Sequence, residues 1–428
     1  MSARSRSRVV FPWVLACGTA VLAGCAGSEA DGGAGGVTAF EGATLLVGDG
    51  TPPIEDGVLL VTDGRITAVG TAATLEVPRG AARVDLTGKT VMPAIVNAHV
   101  HLASEREERI AQLEHMAYYG AGAVVSLGQD TGSVALAMRS EDLPGLPRTA
   151  SAGRGITSPE PGRTTAPHWV TTADEGRAAV RELAAQRVDI VKIWVDDRNG
   201  EYEKLPPEIY QAVIDEAHRH GLRVTAHIFA LEDAKALLRA GIDAFAHGIR
   251  DRDIDDELVA LWKERPAVVL VPNLPDPGVP QDYAWLAGTV PPEQLARMQE
   301  GATDRPDLQE AFGIQARNLA RLAGEGIRVA FGTDGSVAWA PHLEMEDMVR
   351  SGMSPAAVIV AATGSSADFM RMGDVGTLVV GKSADFIVLD ANPLDDIRNT
   401  RRIASVYLRG EEVDRAAIGA RLASPRAP

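Results

Sequence analysis

The chain has 428 residues, enough for two or three domains and a sizeable core. An apolar fraction of 45% with 23% charged residues is that of a globular protein and excludes both a disordered chain and a polytopic membrane protein. With 42 Lys plus Arg against 58 Asp plus Glu the formal charge is −16, which excludes a nucleic-acid partner bound through its phosphates.

Arg4, Arg6 and Arg8 precede a mostly apolar run, Val9 to Leu22, whose 14 residues fall short of the ~20 that span a bilayer. Residues 1–24 are therefore expected to be a signal peptide. The run ends in Leu22-Ala23-Gly24-Cys25, which resembles a bacterial lipoprotein signal. That resemblance implies a lipid on Cys25 and a membrane anchor. With Ala26 rather than Asp after the cysteine, it also implies an outer-membrane location facing the periplasm. The alternative is ordinary cleavage at a small-residue site. Cys17 and Cys25 are the two cysteines, and Cys17 would leave with the signal, so no disulfide and no cysteine metal site is expected. Residues 25–36 read as a flexible tether.

Residues 37–91 hold short β-type runs, ATLLVG, GVLLVTDGRITAVG and ARVDLTGKTVM, and Asp63-Gly64 carries a hairpin signal. From 92 to 365 the period changes. Apolar runs alternate with helical patterns, which predicts βα units on a parallel sheet. The strand candidates AIVNAHVHL, AVVSL, RTASAG, DIVKIWV, RVTAHIF, AFAHGI, VVLVPNL and RVAFGTD are eight, the number that closes a (β/α)8 TIM-type barrel. Ser104 with Glu107 and Thr172 with Glu175 read as capping boxes, and Ser354-Pro355 as a helix start. Residues 272–310, with prolines at 272, 275, 277 and 280, read as a long loop at the barrel mouth. Residues 366–415 return to short strands, GTLVVG, ADFIVLD and ASVYLRG, and 416–428 read as a tail. The charge run at 250–257 reads as a solvated helix start.

Chemistry-bearing side chains collect at the strand ends. His99 and His101 are two apart, so on a strand they share a face and can bind one divalent ion. His227 and His247 end the fifth and sixth strands. Lys192 lies inside an apolar run, where an ammonium is costly. It either snorkels to the strand end or reacts with CO2 to give an anionic carbamate that bridges metals. Asp334 follows the eighth strand, as a ligand or as a plain turn residue. At the C-terminal ends of barrel strands such a set marks the catalytic face. Weaker candidates for substrate binding are His168, Arg154 and Tyr202 in loops and His342 after the last strand, with Arg163 beside them for a substrate carboxylate. His115, His218 and His220 read as structural.

The set H-V-H, VKIW, TAHIF, AHGI and GTDG, with the segment GDVGTLVVGKSADFIVLDANPLDDI, resembles the amidohydrolase superfamily of binuclear metal hydrolases. The likeness is to the branch of imidazolonepropionase-like proteins and prolidase-like dipeptidases, over roughly residues 40–412. It implies that both flanking β segments form one small sandwich. It further implies that His99, His101, carbamylated Lys192 and Asp334 hold a buried metal, and that Lys192, His227 and His247 hold a more exposed one. Two divalent ions, zinc first, would activate a water, with Asp334 as base and then acid. The implied reaction is amide hydrolysis of a dipeptide or N-acyl amino acid. Cyclic amides, lactones or phosphoesters on the same metals are an alternative, as is a non-catalytic surface lipoprotein. A homo-oligomer is compatible with all three. Ala94 and Asn97 depart from the family's usual Gly and Asp, which bears on hydrogen bonding behind the ligands.

Overall fold

A computed structural model describes residues 36–423. The expected signal peptide, the lipidation site Cys25 and the tether 25–35 lie outside the described residues. No described helix is long and apolar enough to cross a membrane.

The eight predicted barrel strands all form. They are Ile95–Val100, Ala121–Ser126, Arg148–Ser151, Val191–Trp194, Val224–His227, Ala244–Ala246, Val269–Val271 and Arg328–Val329. Neighbours along this series pair in parallel as two runs, strands one to three and four to eight. Backbone bonds join the runs. Ala98 N–H donates to Phe331 O at 2.8 Å between the first and last strands, and Asp189 N–H donates to Ser151 O at 3.0 Å between the third and fourth. Most of the strands are rich in Val, Ile and Ala and buried on both faces, as a helix-covered parallel sheet demands. The protein is a TIM-type barrel with a small β domain.

That domain is one eight-stranded sheet drawn from both ends of the described chain. Phe386–Leu389, from the C-terminal segment, pairs antiparallel with Thr90–Pro93, from the N-terminal one. Phe40, Phe386 and Tyr407 meet at its centre with ring centroids 4.7–5.0 Å apart. The hairpin at Asp63-Gly64 has positive φ at both residues, 49° and 72°, as a tight turn matching strand twist requires. The other face of the same sheet, through Ile387, Leu389, Ile403 and Leu408, joins the barrel's own apolar core.

Five local expectations are corrected. Ser104 does not cap a helix: the helix begins at Arg106 after Glu105, and Ser104 Oγ instead meets Thr131 Oγ1 at 3.2 Å. Residues 272–310 are not one loop; they contain a short turn of helix, Ala284–Leu286, the helix Pro292–Gly301 and the start of Pro306–Gly324. GTLVVG forms no strand, although Leu378 N–H donates to Val47 O at 2.9 Å. The helix Ser366–Phe369 still belongs to the barrel, where Ser366 Oγ accepts from Phe331 N–H at 2.8 Å. The tail is helical through Arg415–Ala423, and Arg415 Nε donates to Tyr118 O at 2.9 Å. The Thr172–Glu175 capping box and the Ser354 cap with Pro355 in the first turn are both present.

Candidate metal centre

The C-terminal ends of the strands deliver one cluster. His99 and His101 present their Nε2 atoms to the same oxygen, Asp334 Oδ1, at 3.0 and 2.9 Å. This is the shared face that a two-residue spacing on a strand produces. Asp334 is brought there by backbone bonds: Thr333 N–H and Asp334 N–H both donate to His99 O, at 3.1 and 2.9 Å. His247 reaches the other oxygen, Asp334 Oδ2, at 3.4 Å, and its ring centroid lies 4.4 Å from that of His227. Lys192 is fully buried within its strand, so the snorkelling alternative does not hold.

The backbone is bent to make this cluster. His247, Asn273 and Asp334, at the ends of strands six, seven and eight, have φ of 87°, 46° and 52°. Each such non-glycine residue costs about 1–3 kcal/mol, and strain of this kind gathers at functional sites. Gly332 is needed for the close approach: a Cβ there would lie 2.7 Å from His99 Cβ and 2.6 Å from Val271 Cγ1.

Burial disfavours the charged forms of Lys192, His99, His227 and His247. Burial pushes the Lys192 ammonium down to about 7, against the opposing pull of Asp334. Burial likewise takes His99 down to about 4, His227 down to about 3, and His247 well below its ordinary value. A neutral imidazole is the form that ligates a metal. Burial alone would raise the Asp334 carboxyl, but His99, His101 and His247 hold it well below the usual carboxylate range.

The donor set fits a divalent cation. One ligand atom from each of His99, His247 and Asp334 lies within 4.8 Å of the others. Lys192 Nζ and both ring nitrogens of His247 are shielded from solvent with no hydrogen-bond partner. Buried polar atoms left unpaired together call for an ion among them. Asn273 Oδ1 lies 2.9 Å from His99 Nδ1, which frees Nε2 for the centre. Asn97, where the usual aspartate is missing, still works behind the ligands. Its Nδ2 donates to Thr333 Oγ1 at 2.8 Å, and its Oδ1 accepts from His99 N–H at 3.2 Å. His227 differs from the rest, since its Nε2 is already 3.0 Å from Asp196 Oδ2 and 3.3 Å from Arg198 Nη1.

Of the weaker candidates, the structure turns most away. His342 is fully buried, with Nδ1 3.1 Å from Thr400 Oγ1 and Nε2 3.1 Å from Tyr119 O. Arg154 braces its own loop through the carbonyls of Thr165, Ala166 and Pro167. His168 Nε2 lies 3.8 Å from Glu182, on the helix Ala173–Ala185 outside the barrel. Tyr202 donates its hydroxyl to Pro161 O at 3.0 Å. Arg163 is 45% exposed and pairs with Glu160 at 3.0 Å.

Sequence reasoning missed Asn273, Asp196, Arg198, Arg250 and Glu344. Asp196 and Asn273 each follow an apolar strand run by two residues, a position that could have marked them. Glu344 accepts Leu274 N–H with both oxygens, at 3.0 and 3.1 Å, and burial raises its carboxyl well above the ordinary value. Arg250 was hidden in the charge run. The helix there starts only at Asp256, capped by Asp255, whose Oδ1 accepts from Leu258 N–H at 3.0 Å.

Comparison with known proteins agrees with this geometry. An uncharacterised protein of Mycobacterium tuberculosis is 33% identical over 228 residues, half of this chain, and the chain spans 57% of that relative's length. The imidazolonepropionase of Streptomyces coelicolor is 27% identical over 368 residues, 81% of this chain and 88% of that one. Among solved structures, that of a presumed prolidase from Bifidobacterium longum superposes with a TM-score of 0.73 at 28% identity, covering 90% of this chain and 99% of that one. The model of the amidohydrolase family matches residues 90–413, which run from the strand before the barrel to the last strand of the small domain and include every residue of the cluster. The chain belongs to the amidohydrolase family.

Proposed function

We propose that the protein is a metal-dependent hydrolase that cleaves the C–N bond of a dipeptide or N-acyl amino acid. The observation that carries this reading is the gathering of His99, His101, Lys192 and His247 around the Asp334 carboxylate, with Lys192 Nζ and both ring nitrogens of His247 buried without a hydrogen-bond partner. The similarity to an imidazolonepropionase and to a presumed prolidase supports C–N chemistry.

His99, His101, Lys192 and Asp334 would hold one divalent ion, and Lys192, His227 and His247 a second. Nitrogen and oxygen donors suit zinc, with manganese or cobalt as substitutes. When bound, such ions activate water and polarise a carbonyl. Lys192, held near neutrality by burial, attacks CO2 through Nζ and releases a proton to solvent, which leaves an anionic carbamate in place of an orphaned amine. For His227 to ligate through Nε2, that atom would exchange its contact with Asp196 for the ion. Asp334 takes the proton of the attacking water and delivers it to the departing nitrogen. Its strained backbone and its contacts with His99 and His101 fix it for that transfer.

The remaining finer readings are part of the same proposal. The protein is a lipoprotein of the bacterial cell envelope, anchored through Cys25. Replacing Cys25 with Ser should release it from the membrane fraction, and unchanged association would oppose the anchor. For the reaction, the zinc-loaded full chain should be screened against dipeptides and N-acyl amino acids beside lactones and phosphoesters. Hydrolysis of the amides, lost on chelation and regained with metal, is expected. Turnover of esters alone would overturn the amide reading.

A further inference from the structure

Arginines near the barrel mouth are nearly all accounted for. Arg198 is paired with Asp196 and Glu160 at 2.8 and 3.1 Å. Arg109, wholly buried, is paired with Asp130 and donates to Ala103 O at 2.8 Å. Arg154 and Arg163 are engaged as described. Arg250 stands apart. It follows the ligand His247 by three residues, and its backbone N–H donates to Phe229 O at 2.9 Å, which ties the loop after strand six to the loop after strand five. Its side chain makes no ion pair among the described residues. Its Nε is shielded from solvent without a hydrogen-bond partner. The two Nη groups are not among the buried unpartnered atoms.

The neighbouring carboxyls do not neutralise it. Asp334, Asp196 and Glu344 are near enough to act on its charge through space. Each has other partners: Asp334 the three histidines, Asp196 the pair Arg198 and His227, Glu344 the amide of Leu274. A partly buried guanidinium whose Nε is shielded without a partner is costly unless an anion completes it. Its planar fork matches a carboxylate.

We propose that Arg250 receives the free carboxylate of the substrate, so that the protein acts on acids, a dipeptide or an N-acyl amino acid, in preference to their neutral amides. This rests on the amide-hydrolase reading and names the group that sets its selectivity. Because the contact lies beside the metal cluster, it would place the scissile bond of a small amino-acid conjugate, one residue away from its carboxylate, at the reacting centre.

The test is calorimetric titration of the metal-loaded full chain with a panel of N-acetyl amino acids and the corresponding C-terminal amides, in wild type, Arg250→Met and Arg250→Lys. Hydrogen bonds to a charged partner predict that wild type binds the preferred acid about 10- to 100-fold more tightly than its amide. Arg250→Met should bring that ratio close to one with metal content retained, and Arg250→Lys should keep part of it. A wild type with no preference for acids, or an Arg250→Met protein with the preference intact, overturns the proposal. Turnover is read separately. Preferential binding of acids without cleavage of any amide would oppose the hydrolase reading and leave the role of Arg250 standing.

Discussion

Asp334 separates holding a metal from moving a proton. It is one of four donors expected on the buried ion, and the other three, His99, His101 and Lys192, remain if it is changed to an amide. Asparagine keeps the size and an oxygen donor but cannot take a proton. Asp334→Asn should therefore retain most of its metal by elemental analysis while the turnover number falls by roughly 10²–10⁴, the range for general acid–base groups. Near-normal turnover with metal in place would move the proton to another group, and Glu344, the buried carboxyl nearby, would be the next to examine. At this scale the clustered side chains were legible because their types and strand-end positions are written in the chain. Asn273 and Arg250 were not. One is an ordinary polar residue after a strand, and the other looks like a solvated charge until the loop folds it inward.

At the level of elements, apolar runs located all eight barrel strands, because most of their residues are buried, Arg148–Ser151 and Arg328–Val329 being the more polar and exposed ones. It failed where tertiary contact decides the outcome. GTLVVG has the composition of a strand but makes only scattered backbone bonds, Leu378 N–H to Val47 O and Gly381 N–H to Ile66 O, and forms no ladder. The proline-rich stretch 272–310 read as loop because prolines punctuate it, yet Pro292 and Pro306 occupy first turns of helices, where a proline is tolerated. Caps divide in the same way. Thr172 makes its box with Glu175, the Thr172 hydroxyl accepting from Glu175 N–H at 3.2 Å, whereas Ser104 is drawn off to Thr131. Thr172→Ala should cost about 1 kcal/mol in denaturant unfolding, and Ser104→Ala clearly less. Equal losses would mean that the box contributes nothing.

Among the described residues the small sheet and the barrel share apolar core, so the two are expected to unfold together. Buried Asp385 adds to this by pairing with Arg148 across the junction and accepting the backbone N–H of Arg409. The protein's stability should depend on pH through Asp347, away from the metal cluster on helix Ala340–Arg350. Burial raises that carboxyl to about 7, with Arg350 opposing and Glu346 and Asp276 adding to the rise. In the unfolded chain an aspartate titrates near 3.9. The folded state thus holds the proton more tightly, and stability is lost as pH rises from about 4 to about 7. Asparagine at this position has no proton to lose. The gain of Asp347→Asn over wild type should therefore grow across that interval, by at most on the order of 4 kcal/mol, and level off above it. Thermal melts at pH 4 to 8 check this, and parallel curves for the two proteins would contradict it.

The central claim is a metal centre completed by a modified lysine, and metal content of the Lys192→Ala protein tests it most directly. Wild-type full chain, loaded with zinc in the presence of bicarbonate and freed of excess by gel filtration, should carry two ions by elemental analysis. Lys192→Ala treated identically should carry less than one, and a short carboxylate supplied with the metal should restore part of the loss. Two tightly held ions in Lys192→Ala would contradict the bridge, and a wild type that holds no metal under these conditions would contradict the centre itself.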